Sequence, residues 1–260
     1  KGVWNNGYKF FSSFRTVVIN NIRIYKGAKV MDEQDAKISM DEKSGLWYRP
    51  ELGELFVINE QSQYAKLDFK DKTVMDVGAH IGCFTDLALK NGAKHVYAYE
   101  PTPESFALMV MNVNNEKTSL YNSALTGHDD IETDFYLSKT YPTCHTHIPV
   151  KNREVMTVQA ENFWKKLDIH KPQVLKVDIE GGEYNFMFQK EIPDYVEQVA
   201  IELHLGKKGY RELGMALARR FNDWHYHTKF RFSWHITTLI LHRTKPGLGL
   251  VKDKMKELEL

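Results

Sequence analysis

Cysteine is scarce in this chain: Cys83 and Cys144 are the two in 260 residues. That excludes a disulfide scaffold and a four-cysteine zinc site. Two thiols in a chain this size fit a reducing compartment. Excess charge of either sign is also missing, with 35 Lys and Arg against 34 Asp and Glu. A net charge of +1 argues against broad, sequence-independent binding to nucleic acid or anionic lipid, and leaves room for a local basic patch. Long apolar runs are absent. Stretches such as Thr238 to Leu241 are strand-sized, far short of the ~20 residues of a membrane span. No signal-peptide pattern is read at the start, so the expectation is a cytoplasmic protein. Repeats and low-complexity tracts are absent too. The 42% hydrophobic residues are enough for a real core, in one large domain or one domain with an extension.

The opening third carries no motif. Residues 15–25 predict a β-hairpin, two β-branched runs flanking Asn20-Asn21. Residues 29–45 are polar and read as an irregular connection. Residues 51–64 read as a helix entered through Pro50. Residues 1–69 are therefore expected to be an extension packing on a core of 70–260, either covering the sheet or shaping a substrate pocket.

From residue 73 the rhythm alternates between strand and helix. Strands are expected at Thr73–Val77, His95–Tyr99, Leu120–Leu125, Val174–Asp178 and Val199–Leu203. Short pieces are expected near Asp134 and Val155. Helices are expected from Ile81 to Asn91, after Thr102 as cap with Pro103 at its first position, and through Ala160, Phe163, Trp164 and Leu167. Further helices follow Gly181-Gly182 and run through Tyr210, Leu213, Leu217 and Phe221. Tyr226 to Phe232 and Ile236 to His242 form an antiparallel pair joined by a short link. The fold class is α/β: a doubly wound, mostly parallel sheet ending in that pair.

Three stretches carry chemistry. Asp76-Val77-Gly78-Ala79-His80-Ile81-Gly82 falls where a strand ends and a helix begins. Glycines there let backbone approach a ligand, and the helix start offers N–H groups. Asp76 would repel a pyrophosphate and attract the ammonium of an amino-acid moiety, as in S-adenosylmethionine (SAM). Glu100 ends the second strand, where an acid accepts hydrogen bonds from ribose hydroxyls. NAD enzymes share that device. Lys176-Val177-Asp178-Ile179-Glu180-Gly181-Gly182-Glu183 ends the fourth. A buried Lys176 needs a partner, with Asp76 or Glu202 the candidates. Asp178 falls at the sheet edge where α/β folds bind ligands. Glu180 and Glu183 either serve the site or stabilise the helix start. Glu202 and His204 end the next strand, His204 as base, ligand or loop anchor. Asp178, Glu180, Glu202 and His204 would suit a divalent ion, though no spacing demands one. His145-Thr146-His147 lacks a third ligand and is not read as a metal site.

These motifs, with Tyr99-Glu100-Pro101-Thr102-Pro103-Glu104 and the later Asn112 and Asn114, resemble the FkbM family of SAM-dependent methyltransferases over about 73–203. The resemblance implies a Rossmann-like, seven-stranded class I methyltransferase sheet and O-methylation, often of a sugar hydroxyl. It implies that the turn Gly78-Ala79-His80 to Gly82, with Asp76, holds the methionine end of SAM. Glu100 and Pro101 would hold the ribose, and Ser123 and Ala124 would flank the adenine. His80 departs from the family's usual asparagine. Within that reading Asp178 is the preferred general base, His204 the other, and Glu180 or Glu183 grips the acceptor. A small molecule or glycan is the expected acceptor. The Asn/Asp-Pro-Pro-aromatic tetrad of amino-methylation and a Pro-Cys nucleophile are both lacking. A basic aromatic stretch (Arg219, Arg220, Lys229 and Arg231 among Trp224, Tyr226, Phe230 and Phe232) keeps nucleic acid in view. An NAD oxidoreductase or a non-catalytic binding domain are the remaining alternatives.

Overall fold

The computed structural model describes residues 17–19, 22–24, 38–137, 151, 154–206, 209–227, 236–245 and 248–259. Cys144, His145, His147, Lys229, Phe230, Arg231 and Phe232 lie outside the described residues. The chain opens with β1 (Val17–Ile19) and β2 (Ile22–Ile24), the expected antiparallel hairpin. Next come β3 (Ser39–Met40) and β4 (Trp47–Tyr48), a second hairpin within the stretch expected to be irregular. Helix α1 (Glu54–Glu60) lies between two 3-10 turns, Pro50–Leu52 and Gln61–Tyr64, within the expected 51–64.

The alternating core follows: β5 (Thr73–Val77), α2 (Cys83–Lys90), β6 (His95–Tyr99), α3 (Pro103–Val113) and β7 (Thr118–Tyr121). After β8 (Ala124–Thr126), β9 (Glu132–Leu137) and β10 (Glu154–Asn162), the chain forms α4 (Phe163–His170), β11 (Val174–Val177) and the one-turn α5 (Tyr184–Met187). It ends with β12 (Gln198–His204), α6 (Tyr210–Arg219), β13 (His225–Tyr226), β14 (Ile236–His242) and α7 (Val251–Glu259).

Seven strands form the sheet that the sequence predicts, in the order β7-β6-β5-β11-β12-β14-β13. The first five are parallel, and β14 runs antiparallel to both β12 and β13. The hairpin adds two more strands: β2 pairs parallel with β7, Ile22 opposite Leu120. It therefore covers what would be an open sheet edge. Its central strands are buried on both faces, Val174 to Val177 throughout, as parallel strands between helices must be.

Three local expectations give way. The strand expected at Leu120–Leu125 is split, β7 ending at Tyr121 and β8 starting at Ala124 in another sheet. Ala160 belongs to β10, not to the following helix. Its spacing to Phe163 fits a helix, but it shares a strand face with Val158, and both are buried. With β8 and β9, β10 makes a second, three-stranded sheet. Helix α4 starts only at Phe163, where the Asn162 side chain accepts the Lys165 N–H at 3.0 Å. Leu213 is half-exposed, and Gly214, Leu217 and Ala218 form the buried stripe of α6.

Chain order and sheet order together fix where a ligand fits. From β5 the chain moves through α2 to β6 on one side, and β11 later joins the other side. Helices leave the sheet in opposite directions there, opening a crevice at the strands' C-terminal ends. Among the described residues no helix is long and apolar enough to cross a membrane.

Candidate active site

A cavity of about 260 Å³ fills that crevice. Gly78, Ala79, His80, Glu100 and Pro101 line one part, with Ser123 and Ala124 beside them. Asp178, Glu180, Glu202 and Lys176 line another. Helix α1 and the turn after it form a further wall through Phe56, Val57, Glu60, Gln61 and Tyr64. The motif-free opening third therefore shapes the pocket as well as covering the sheet.

Gly78 is where the backbone comes closest. Its φ is +81°, and a Cβ there would sit 1.8 Å from the Asp178 carbonyl oxygen. No side chain fits between the β5 and β11 exits. The sequence reading expects the turn to offer N–H groups to a ligand, but three of them are already bonded within the fold. Gly78 and Ala79 both donate to the Tyr99 carbonyl, at 3.0 and 2.9 Å, and His80 donates to Glu100 Oε2 at 2.9 Å. Gly82 lies behind the turn, starting α2 at φ +89° against Val113 and Met109.

Asp76 does not face the cavity. It is fully buried under the turn, accepting the Thr85 hydroxyl at 2.7 Å. Lys176 Nζ lies 3.4 Å from Asp76 Oδ1 and 3.5 Å from Asp178 Oδ2, and donates to the Gly78 carbonyl at 2.6 Å. Burial pushes the Asp76 carboxyl up, against the pull of Lys176 and Thr85. Burial opposes the charge on Lys176, but Asp76, Asp178 and Glu202 more than offset it and raise its pKa. Asp76 thus neutralises a buried lysine, and its expected pull on a ligand ammonium is spent inside the fold.

Glu100 is 6% exposed and ends β6. Its Oε1 accepts the Thr102 N–H at 2.8 Å and the Thr102 hydroxyl, and its Oε2 takes the His80 N–H. Thr102 opens α3 by position, but its side chain serves Glu100 and does not cap the helix. Of the roughly four lone-pair sites of a carboxylate, three are occupied. Ser123 is buried and donates to Glu161 Oε1 at 3.0 Å.

The lining contributed by the exits of β11 and β12, next to the glycine turn, is acidic. Burial, then the charges of Asp178 and Glu180, push the Glu202 carboxyl up to about 8. Burial and Asp178 also raise Glu60. Glu180 has φ +57°, a strained value for a residue with a side chain, at the lip of the cavity. Its Oε2 lies 3.3 Å from His204 Nε2. Glu183 lies deeper, fully buried, accepting the backbone N–H of Gly181 at 2.9 Å and of His204 at 3.0 Å. It ties the β11 exit to the end of β12. His204 is surrounded by carboxylates, Glu183 at 3.4 Å and Glu202 at 3.7 Å besides Glu180. Burial opposes its charge, but Glu180 and Glu183 prevail and hold its pKa well above the ordinary value. These carboxylates favour the protonated ring and work against the alternative role of base for His204. Asp178, Glu180 and His204 each bring a donor atom within 4.8 Å of the others, a spacing a divalent ion could span.

The sequence leaves pocket shaping by the opening third as one of two alternatives without naming the α1 residues that do it, and it does not show the service of Thr102. Thr102 stands inside the Glu100-Pro101-Thr102-Pro103 motif, two residues from the acid it serves. Helix α1 carries no such signal. In the basic aromatic stretch, Arg220 is tied to the Lys190 carbonyl and to Glu191, and Arg243 covers the Trp224 ring at 4.5 Å. The Trp224 ring is therefore taken as a stacking platform.

Comparison with solved structures finds similar chains at low identity. A methyltransferase FkbM from Methylobacillus flagellatus KT is 15% identical, with 68% of this chain and 45% of that one covered and a TM-score of 0.40. TYW2 of M. jannaschii in complex with AdoMet is 16% identical, with 88% and 100% covered and a TM-score of 0.37. A precorrin 8W decarboxylase from Methanobacterium thermoautotrophicum is 14% identical, with 71% and 89% covered and a TM-score of 0.41. No curated protein matches the sequence. Residues 76–223, more than half of the chain and all three chemical stretches, match the methyltransferase FkbM domain, and the chain belongs to that family of methyltransferases.

Proposed function

We propose that this protein transfers the methyl group of SAM to a hydroxyl of a sugar or another small-molecule or glycan acceptor. One observation carries the reading: a single cavity holds Glu100 and the glycine turn in one part and an acidic cluster in the other. A nucleoside fits the first part. Glu100 keeps one lone-pair site open, and rotation of the Thr102 hydroxyl frees a second for a ribose diol. Gly78 lets the β5 exit pass directly against the Asp178 backbone, which keeps the turn and the acidic residues in one cavity. The Ser123-Ala124 stretch lies beside it for a base. A dinucleotide fits less well, because Gly78 and Ala79 have already given their N–H groups to Tyr99 and leave no pyrophosphate nest there.

Bound SAM would supply an electrophilic methyl on a sulfonium, and the chain's own residues do the rest. They must hold an acceptor oxygen ~3–3.5 Å from that methyl and in line with it. Asp178 is the proposed base: it lines the cavity, and Lys176 fixes its carboxylate from behind at 3.5 Å. Glu202 carries its proton at pH 7 and so donates a hydrogen bond to an acceptor oxygen, while Glu180 accepts one. Glu183 and His204 hold Glu180 and the β12 end in place; they replace neither the base nor the acceptor grip. Three further carboxylates around the acceptor, Glu60, Asp178 and Glu180, would repel a phosphate backbone. That favours a neutral hydroxylated acceptor over nucleic acid.

The test is a methyl-transfer screen by mass spectrometry with labelled SAM over glycosides, polyols, RNA and DNA. Label on a hydroxylated small molecule supports the reading, and label only on nucleic acid overturns it. Asp178→Asn should keep cofactor binding and lower turnover by about 10²–10⁴-fold, the usual worth of a general base. Full turnover in that variant would remove Asp178 from the mechanism.

A further inference from the structure

We infer that Arg49 and Glu54, outside the family-matched stretch, are positioning residues for the cofactor part of the site, acting through His80 on Glu100. The inference rests on the reading that Glu100 binds the cofactor's ribose. It begins with a backbone angle. His80 has φ +52°, the left-handed region that glycine and asparagine enter far more readily than other residues. Something must hold a histidine there. Its ring Nε2 lies 3.0 Å from Glu54 Oε1, and Glu54 is fully buried. Glu54 is itself gripped by Arg49, whose backbone N–H donates to Oε2 at 2.7 Å and whose guanidinium donates to Oε1 at 3.0 Å through Nε and again through Nη2. Arg49 is 6% exposed and also donates to Ser105 Oγ of α3 at 2.9 Å.

The consequence lies at the other end of His80. Its backbone N–H donates to Glu100 Oε2 at 2.9 Å. Only the left-handed turn aims that N–H back at the end of β6. Arg49, Glu54, His80 and Glu100 are therefore one chain of contacts, running from the entry of α1 to the proposed ribose carboxylate. Burial alone would raise the Glu54 pKa, but His80 and Arg49 hold it at about 2, so the anchor stays charged.

The experiment is calorimetric titration of the full chain with S-adenosylhomocysteine, with thermal unfolding as the folding control. Glu54→Gln should weaken binding about tenfold, the size of coupling expected between residues in one network. The same substitution in a His80→Asn background should weaken it far less, because asparagine holds the left-handed turn without the anchor. Since Glu54→Gln leaves a buried arginine unpaired, a second variant, Arg49→Met with Glu54→Met, removes both charges and protects the fold. It too should bind about tenfold more weakly. Wild-type affinity in the folded double variant, or an equal loss from Glu54→Gln in both backgrounds, overturns the inference alone. No binding by the wild type overturns it together with the cofactor reading.

Discussion

Gly78 and Glu202 are the residues on which the site's geometry and charge depend most directly. Alanine at Gly78 would need its Cβ where the Asp178 carbonyl oxygen already sits, at a φ of +81°. Gly78→Ala should therefore push the β5 and β11 exits apart, and cofactor affinity should fall by at least tenfold in calorimetry. Glu202 makes a prediction with a sign. Its folded pKa, about 8, lies above the unfolded value of about 4.5. Between those values the unfolded chain gives up a proton that the native one keeps, so this group costs stability as pH rises. Glu202→Gln should raise Tm at pH 8 and leave it unchanged near pH 4. A gain that is the same at both pH values would contradict the assignment. Residue identity was legible for Glu100, Asp178 and Glu180, because each follows an apolar strand at its C-terminal end. Asp76 was legible as important but misread in role. Its pairing with Lys176, 3.4 Å away, is one of the two that a buried lysine on the neighbouring strand implies; what the motif does not show is that this pairing turns Asp76 away from the cavity. For His204 the sequence leaves base, ligand and loop anchor open, because it does not show the three carboxylates around the ring.

At the scale of elements, the strands and helices from β5 to β14 follow from short apolar runs that alternate with helical spacing. That local signal is strong because parallel strands are buried on both faces. The weak points are joints. Asn112 on α3 shows one: its side chain accepts the Trp47 N–H at 2.7 Å and donates to the carbonyls of Trp47 at 3.0 Å and Ile81 at 2.8 Å. One asparagine thus fastens β4 to the helix and to the turn before α2. Asn112→Ala deletes three hydrogen bonds of about 0.5–1.5 kcal/mol each. It should cost about 2–3 kcal/mol in urea unfolding and loosen the β4 region; a loss below about 0.5 kcal/mol would mean the joint is not needed. Asn112 stood out in the sequence through the family resemblance, yet its partner Trp47 lies in a stretch read as featureless. Contacts separated by 65 residues leave no trace in a local pattern. The same reason hides which residues α1 turns to the pocket: Phe56, Val57 and Glu60 line it, while Ile58 packs in a core cluster with Leu46, Ile81 and Leu108.

For the whole molecule, the sheet puts two chemically different ends of one cavity on adjacent strand exits. One has a glycine turn and Glu100, the acid proposed to meet a ribose diol; the other concentrates carboxylates in a chain whose net charge is only +1. A near-neutral protein with so acidic an interior site gains little from phosphate-rich partners, so turnover on a neutral acceptor should change little with salt. Cys83 belongs to the cavity wall but is 3% exposed, and burial and nearby acids push its thiol pKa far up. Thiol reagents should leave it unmodified in the native state and react after unfolding. The central claim is that the cavity binds SAM through Glu100. The most direct test is thermal unfolding with S-adenosylhomocysteine, compared with NAD and with no ligand, in wild type and Glu100→Ala. At ~100 times its dissociation constant the ligand should add ~2.7 kcal/mol, a rise of a few degrees in Tm, lost in the variant. A rise with NAD instead, or an equal rise in Glu100→Ala, would contradict it.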